Sequence, residues 1–175
     1  IGDSRAACVG FLSRRRALMV VVCVCFHYTV SVKDNQHLLL IGGDIMYEKY
    51  LITGATGFLG RTVLAQLQDT QAEIRALVMD GDPLAREIPE NVRSVSGDVC
   101  DKAALERFFE GADAHTCVIH CAGIISVASR PGDRIYRVNV DGTRNILKFC
   151  RKHGVAKLVY VSSVHAIPEK PKGTE

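Results

Sequence analysis

The sequence predicts an α/β fold in which a doubly wound parallel sheet carries helices on both faces. Between residues 47 and 165, short β-favouring apolar runs alternate with stretches that repeat at helical period. The first run leads into three glycines spaced three apart, Gly54, Gly57 and Gly60, and an amphipathic stretch follows them. Strands that alternate with helices favour a parallel sheet with right-handed crossovers, which binds ligands at the carboxyl ends of its strands.

The strands are predicted from short apolar runs that end at turn-forming residues. The second of them precedes a polar loop over residues 80–90, and the third ends at Gly97. The predicted strands cover residues 49–53, 73–79, 92–96, 116–120 and 157–161. Because only about five strands are predicted, we expect the sheet to be truncated relative to a complete fold of this class.

The helices are predicted from apolar positions at helical spacing and from residues that begin and end helices. One face of the first helix carries Leu59, Val63, Leu64 and Leu67. Asp101 suits the N-cap of the second helix, Gly111 ends that helix, and Gly154 ends the third. The predicted helices cover residues 58–68, 101–110 and 134–152.

Residues 1–46 lack this pattern, so we predict that they form an extension outside a domain covering residues 47–175. Three arginines at 14–16 precede an apolar run over 17–26, which is shorter than the roughly 20 residues of a membrane span. Residues 42–44 can be encoded by a purine-rich ribosome-binding sequence ahead of Met46. We therefore expect Met46 to be the natural start and residues 1–45 to be translated upstream DNA, with a secretory signal or an anchor as alternatives.

Composition argues against several kinds of partner. The net charge is +3, from 22 basic and 19 acidic residues, which is too small to indicate nucleic acid or an anionic membrane. The seven cysteines form no CxxC pair and no disulfide-like framework, as is typical of a reducing compartment. We therefore expect a cytoplasmic protein whose partner is a small-molecule substrate.

The three glycines predict a phosphate-binding turn between a strand and a helix. Gly54 lets the chain turn off the strand, Gly57 lets the backbone approach a pyrophosphate, and Gly60 lets the helix pack against the sheet. The helix N-terminus then offers free N–H groups and partial positive charge to the phosphates. The predicted contacts in this turn are Gly54, Thr56, Gly57, Phe58, Leu59 and Gly60.

The ends of three later strands carry further candidate contacts to a dinucleotide. Asp80 follows the second strand, where an acidic residue binds the ribose 2′-hydroxyl and selects NAD, although this segment also suits a simple turn. Asp98 and Val99 follow the third strand, where the carboxylate can accept a bond from the adenine amino group or cap the next helix. Ala122 and Gly123 follow the fourth strand and are small enough for the backbone to pass against a cofactor.

A zinc cluster is an alternative interpretation of the fourth strand, which carries His115, Cys117, His120 and Cys121. Successive side chains of a strand point to opposite faces, whereas a tetrahedral zinc site needs its ligands to converge. We therefore predict no metal site, and we interpret His120 as a packed residue at the end of a strand.

Two further groups of polar residues are candidates for the chemistry. Asn139, Gly142 and Thr143 lie within the last predicted helix, and glycine and threonine both weaken a helix interior. Close helix packing explains Gly142, and an inward Asn139 could hold a water molecule or a backbone carbonyl. Ser162 and Ser163 close the fifth strand, where a hydroxyl can bond a substrate oxygen.

These motifs together resemble one family. They are Thr53-Gly-x-x-Gly-x-x-Gly60, Gly97-Asp98-Val99, His120-x-Ala-Gly123, Asn139-Val-x-Gly-Thr143 and Val161-Ser-Ser163. In this order and spacing the chain resembles the N-terminal part of an extended short-chain dehydrogenase/reductase, the NAD-dependent epimerase/dehydratase group. Residues 74–78 resemble members close to dihydroflavonol reductases and 3β-hydroxysteroid dehydrogenases.

The resemblance implies a Rossmann domain that holds NAD on Gly54, Gly57, Gly60 and Asp98, with NADP left open. It implies Asn139 as the structural member of a catalytic tetrad and Ser163 as the catalytic hydroxyl. It further implies a tyrosine base with a lysine four residues later, and it allows a homodimer in the full-length protein. No Tyr-x-x-x-Lys occurs in the 175 residues. We therefore expect this chain to be the cofactor half of an oxidoreductase without its base.

Two alternatives to an alcohol or ketone oxidoreductase remain open. A non-catalytic module that senses dinucleotides would use the same fold and the same glycine turn. A nucleotide-sugar epimerase would differ mainly in its substrate-binding part. The motifs found in this chain belong to the cofactor-binding part, so they do not distinguish the two classes of enzyme.

Overall fold

A computed structural model describes residues 18–23, 47–125 and 132–162, in which strands alternate with helices. The strands are β1 (Leu18–Cys23), β2 (Lys49–Thr53), β3 (Glu73–Val78), β4 (Val92–Ser96), β5 (Thr116–His120) and β6 (Lys157–Ser162). The helices are α1 (Phe58–Leu67), α2 (Lys102–Phe108), α3 (Asp133–Tyr136) and α4 (Thr143–His153). A 3₁₀ helix covers Pro83–Glu87, and a π-helical turn at Arg137–Gly142 joins α3 to α4.

The strands form one sheet in the order β1-β6-β5-β2-β3-β4, and every pair is parallel. From β2 the chain winds outward through β3 to β4, then returns to the other side of β2 for β5 and β6. The direction of winding therefore changes between β2 and β5, which is where a doubly wound sheet opens a crevice for its ligand. The predicted fold class is confirmed, and the five predicted strands match the observed ones to within one residue at each end.

Alternation along the strands divides the hydrophobic core between the two faces of the sheet. Leu51 and Val118 face α2 and α4, where they belong to a cluster with Phe108 and Phe149. The neighbouring residues of β2, Tyr50 and Ile52, belong to a second cluster that contains Leu64 and Leu67 of α1. Burial of both faces explains why the strands are almost continuously apolar, as is usual for a parallel sheet.

The ends of the helices follow the predicted signals. Asp101 caps α2 by accepting a bond from the Ala103 N–H, as predicted. Gly154 ends α4 in the left-handed conformation, with φ of +65°. The last predicted helix is continuous from residue 133 to 153, here called the long helix, but the π-helical turn at its centre was not predicted.

The N-terminal extension differs from the prediction at one strand. Residues 1–46 are predicted to lie outside the fold, whereas β1 pairs with β6 along its whole length, from Leu18 opposite Lys157 to Cys23 opposite Ser162. The valine-rich run of β1 has a high preference for strands, and β6 offers it an unpaired edge. The boundary at residue 46 itself stays a prediction.

No helix within residues 47–125 and 132–162 is both long enough and apolar enough to cross a membrane.

Candidate functional site

The glycine turn, residues 54–60, is built by close backbone contacts at two of its glycines. Gly54 has φ of +67°, and a Cβ added there would lie 2.7 Å from the backbone nitrogen of Ala122. A Cβ at Gly60 would overlap the carbonyl group of Gly54. These two positions therefore require glycine for folding, because a side chain at either would collide with backbone atoms.

Gly57 differs, because the side of its Cα that would carry a Cβ is exposed. It is exposed, its φ of −72° suits any residue, and an added Cβ would meet only the Gly54 oxygen, at 3.2 Å. Gly57 is also the N-cap of α1, where no side chain caps the helix and no acidic residue occupies the first turn. The helix N-terminus thus offers N–H groups and partial positive charge beside an open glycine, and this cradle fits a pyrophosphate.

The other predicted residues of the glycine turn play unequal parts. The Thr56 hydroxyl donates a hydrogen bond of 2.7 Å to Asp82 in the polar loop, so it faces that loop. Phe58 is 80% exposed at the first position of α1, and Leu59 is half-buried. Phe58 and Leu59 can serve a phosphate through backbone N–H groups, since these belong to the first turn of the helix.

Asp80 lies at the carboxyl end of β3, as predicted, and is exposed. The Ser96 hydroxyl donates a hydrogen bond to one of its carboxylate oxygens. Asp82 is absent from the predicted contacts, but it is the better fixed carboxylate: it accepts bonds from the Thr56 hydroxyl and from the Leu84 N–H. These two bonds lower the pKa of Asp82, in that order of effect, so the polar loop presents negative charge beside the glycine turn.

Asp98 and Val99 follow β4 and present different groups to the site. Asp98 accepts a bond of 2.7 Å from the Cys100 N–H and lines a cavity of about 320 Å³, open between this loop and Arg134 and Arg137 of the long helix. Val99 is buried, so its side chain cannot contact a ligand, and only its backbone can take the predicted role. A Cβ at Gly142 would press into the Val99 side chain, which confirms that close packing explains this glycine.

His120 at the end of β5 is fully buried and bonded through both ring nitrogens. Its Nδ1 lies 2.6 Å from the Thr53 hydroxyl, and its Nε2 lies 3.0 Å from the Thr143 hydroxyl. Burial lowers the pKa of this imidazole to about 4, so it is neutral at physiological pH. The prediction of a packed residue at the end of the strand agrees with this position. The two threonine partners are not predicted, although Thr143 stands out in the sequence as unfavourable in a helix.

Asn139 lies in the π-helical turn of the long helix and holds the β5 loop, residues 121–125. Its Oδ1 accepts a bond of 2.8 Å from the Ile124 N–H, and its Nδ2 donates a bond of 2.9 Å to the Ile124 carbonyl. The β5 loop contains Ala122, which contacts Gly54, and Gly123, where an added Cβ would approach the Asn139 Oδ1 to 3.5 Å. π-helical turns are frequent at functional sites because they displace one residue from the regular helix.

Ser163, the predicted catalytic hydroxyl, lies outside the described residues. Ser162 is the last residue of β6 and ends at the same edge of the sheet as the glycine turn and the β5 loop.

The residues proposed for the alternative zinc site do not converge on a common point. Cys117 packs in the apolar cluster on the α1 side, where burial raises its pKa to about 12, and burial raises the pKa of Cys121 to about 11. Within residues 47–125 and 132–162, no group of three or more histidine, cysteine or acidic residues could hold a metal ion.

Residues 51–175 match the sequence model of the 3-beta hydroxysteroid dehydrogenase/isomerase family. The chain belongs to this family. The match includes the whole glycine turn, the ends of β3, β4 and β5, and Asn139. The predicted resemblance to short-chain dehydrogenases/reductases close to 3β-hydroxysteroid dehydrogenases is thereby confirmed.

Relatives from several organisms share this part of the chain. The human 3 beta-hydroxysteroid dehydrogenase type 7 is 35% identical over 131 residues, which cover 71% of this chain and 35% of the relative. A short-chain dehydrogenase/reductase from Agrobacterium tumefaciens with bound NAD aligns at a TM-score of 0.58 and 30% identity, covering 71% and 35% of the two chains. The UDP-glucose 4-epimerase of Thermus thermophilus in complex with NAD aligns at 0.59 and 29%, covering 72% and 41%.

The chain spans about a third of the length of the curated relatives that it matches. That third contains the glycine turn and the parallel sheet, which this chain shares with the NAD-bound short-chain dehydrogenase/reductase and epimerase structures.

Proposed function

We propose that this chain binds NAD on its glycine turn and forms the cofactor half of an oxidoreductase that interconverts an alcohol and a ketone. The observation that carries the proposal is the contrast within the turn. Gly54 and Gly60 are required by contacts inside the protein, whereas Gly57 leaves its open side to a ligand at an uncapped helix N-terminus. Folding does not require glycine at position 57, but the approach of a pyrophosphate does.

The two halves of the dinucleotide would lie on either side of the switch between β2 and β5. The adenosine half would reach the ends of β3 and β4, where Asp80 can accept a bond from a ribose hydroxyl and Asp98 from the adenine amino group. The nicotinamide half would lie along the β5 loop, against Ala122 and Gly123. This orientation follows from the general rule that a dinucleotide spans the crevice of a doubly wound sheet.

We propose NAD rather than NADP as the cofactor. The end of β3 carries Val78 and Met79, with no arginine to pair with a 2′-phosphate, and then Asp80 and Asp82. A phosphate placed between these carboxylates and the glycine turn would be repelled by them. The Asp82 carboxylate contributes most to this argument, because two hydrogen bonds fix it in place.

NAD held on the glycine turn would supply hydride-transfer chemistry, and the hydroxyl proton of the substrate alcohol would leave to a base. In the proposed roles, Ser163 would bond the substrate oxygen, and Asn139 would keep the β5 loop in register with the long helix. The base would be the tyrosine of a Tyr-x-x-x-Lys pair, which is absent from these 175 residues. The activity is thus proposed for the whole protein and the binding of NAD for this chain.

The substrate class is proposed from the family match. The model that matches residues 51–175 is named for 3-beta hydroxysteroids, so a hydroxysteroid is the first alcohol to test. An epimerase of nucleotide sugars is the second candidate, because the Thermus thermophilus relative with that activity shares the fold at a TM-score of 0.59.

The test compares two glycines with the same backbone conformation. Gly57 and Gly132 are both N-caps, with φ of −72° and −71°. An added Cβ would approach the Gly54 oxygen to 3.2 Å at Gly57 and would meet nothing within 4 Å at Gly132. Gly57→Val should abolish NAD binding in calorimetry, while Gly132→Val should bind like the wild type. Equal NAD affinity in wild type and Gly57→Val would refute the phosphate-binding role of the turn.

A further inference from the structure

His120 stands at the centre of a hydrogen-bond chain that the proposed chemistry does not use. The chain begins at the Ala122 N–H, which donates to the Thr53 hydroxyl oxygen at 3.3 Å. It continues through Nδ1 and Nε2 of His120 to the Thr143 hydroxyl, which lies 2.8 Å from the carbonyl oxygen of Asn139. The imidazole stacks on the Tyr160 ring of β6, with centroids 5.5 Å apart, and this contact fixes the plane of the ring.

Of the two neutral tautomers of His120, only one makes every contact in this series a hydrogen bond. A carbonyl oxygen can only accept, so the Thr143 hydroxyl donates to Asn139 and in turn accepts a bond from Nε2–H of His120. Nδ1 of the neutral ring is then an acceptor, so the Thr53 hydroxyl donates to Nδ1 while its oxygen accepts from the Ala122 N–H. In the Nδ1–H tautomer the Thr143 hydroxyl would have to donate to Nε2, and its bond to Asn139 would be lost.

The chain of bonds joins the three segments that line the proposed cofactor crevice. Thr53 is the last residue of β2, directly before the glycine turn. Ala122 lies in the β5 loop and contacts Gly54, and Asn139 lies in the π-helical turn and bonds both backbone groups of Ile124. One imidazole thus connects the glycine turn, the β5 loop and the long helix.

We infer that His120 is a positioning residue which, as its neutral Nε2–H tautomer, aligns the β5 loop and Asn139 with the glycine turn for the nicotinamide half of the dinucleotide. The inference rests on the proposed function, because it concerns how the same crevice holds NAD. The adenosine half should not depend on these bonds, since Asp80 and Asp98 belong to the loops after β3 and β4, whereas the hydrogen bonds of His120 in the described residues go to Thr53 and Thr143.

Binding of two ligands, ADP and NAD, reports separately on the two halves of the crevice. ADP carries the adenosine and the pyrophosphate, whereas NAD adds the nicotinamide half. A substitution that only weakened the fold would lower the affinity for both ligands alike. A substitution that misaligns the β5 loop should lower the affinity for NAD and spare that for ADP.

The variants act on Thr143, a half-buried residue that bonds directly to the His120 ring. Thr143→Val removes the hydroxyl with little change of volume, and Thr143→Ser keeps the hydroxyl as a matched control. In the 175-residue chain, Thr143→Val should weaken NAD binding about fivefold or more and change ADP binding less than about twofold. Thr143→Ser should restore the ratio of the two affinities to that of the wild type.

Each other outcome has a distinct meaning. If wild type binds neither NAD nor ADP, the proposed function fails and this inference fails with it. If wild type binds both and Thr143→Val loses both equally, or loses neither, the positioning role is wrong and the proposed function stands.

A measurement on the unsubstituted protein tests the proton arrangement independently of ligand binding. Nitrogen-15 NMR of the imidazole at pH 7 should show a protonated Nε2 and an unprotonated Nδ1 for His120. The Nδ1–H tautomer or a charged ring would overturn the inference, even if the variants lost affinity.

Discussion

The hydroxyl of Thr56 donates a hydrogen bond to the Asp82 carboxylate, joining the glycine turn to the polar loop across 2.7 Å. A second link runs alongside it, because Arg61 in the first turns of α1 forms an ion pair of 2.6 Å with Glu87. The polar loop is therefore anchored at both ends of the 3₁₀ helix Pro83–Glu87. This anchoring keeps negative charge beside the phosphate-binding turn.

Asp82→Asn should relax the preference for NAD over NADP. The substitution removes the negative charge but keeps an oxygen that can accept from Thr56, so the loop should stay in place. We expect the ratio of NADP to NAD affinity to rise about fivefold, because a charge near a 2′-phosphate acts through partly screened solvent. Calorimetric titration of both dinucleotides measures the ratio.

Asp80→Asn is the matched comparison for this experiment. Asp80 bonds to Ser96 instead of the glycine turn, so its removal should change the ratio less than the removal of Asp82. A larger change in the NADP-to-NAD affinity ratio from Asp80→Asn would assign the discrimination between NAD and NADP to Asp80 instead of Asp82.

The contrast between Gly57 and Gly60 predicts opposite effects of the same small substitution. Gly60→Ala should lower the free energy of unfolding by about 3 kcal/mol or more, because its methyl group would overlap the Gly54 carbonyl in a packed turn. Gly57→Ala should cost less than about 1 kcal/mol, since the position is an exposed N-cap with an ordinary φ. Urea denaturation of both variants measures the difference, and similar losses would contradict the assignment of separate roles.

The strands and the glycine turn could be predicted because their signals are local. Each strand is a short apolar run, and the turn depends on glycines three residues apart, so neighbouring residues in the sequence carry the pattern. The π-helical turn could not be predicted in this way. It adds a single residue to a turn of the long helix, and the apolar spacing of a short segment does not resolve that addition.

The bonds of His120 could not be predicted for a different reason. Its partners lie 67 and 23 positions away in the sequence, at Thr53 and Thr143, and only the winding of the sheet brings them together. The unfavourable helix residue Thr143 is the one local sign, because a threonine inside a helix suggests a role beyond helix propensity. The edge strand β1 is missing from the prediction because residues 1–45 were interpreted as translated upstream DNA, or else as a signal or an anchor, and not as part of the sheet.

Asn139→Ala should loosen the β5 loop. The substitution leaves both the N–H and the carbonyl of Ile124 without the partner that Asn139 provides, so the free energy of unfolding should fall by about 1–2 kcal/mol. Hydrogen exchange at the Ile124 amide should accelerate more than exchange at the centre of β5.

Asn145→Ala provides the control on the same helix. Asn145 donates one bond of 3.1 Å to the Val99 carbonyl, in the loop after β4. The substitution should leave exchange at Ile124 unchanged. If both variants accelerated that exchange alike, the effect would belong to the helix and not to the contact between Asn139 and the β5 loop.

The buried imidazole of His120 predicts that stability falls as the pH drops below neutrality. Burial lowers its pKa from 6.5 to about 4, so between these values the unfolded chain binds a proton that the folded chain does not. The free energy of unfolding should therefore fall as the pH drops from about 6.5 towards 4, by on the order of 2 kcal/mol at pH 5. Carboxylates titrate mainly below this window, so urea denaturation between pH 5 and 7 isolates the histidine.

His120→Gln should flatten the dependence of stability on pH, because glutamine does not titrate, while His115→Gln at an exposed position should leave that dependence intact. An unchanged slope in His120→Gln would assign the dependence to another group.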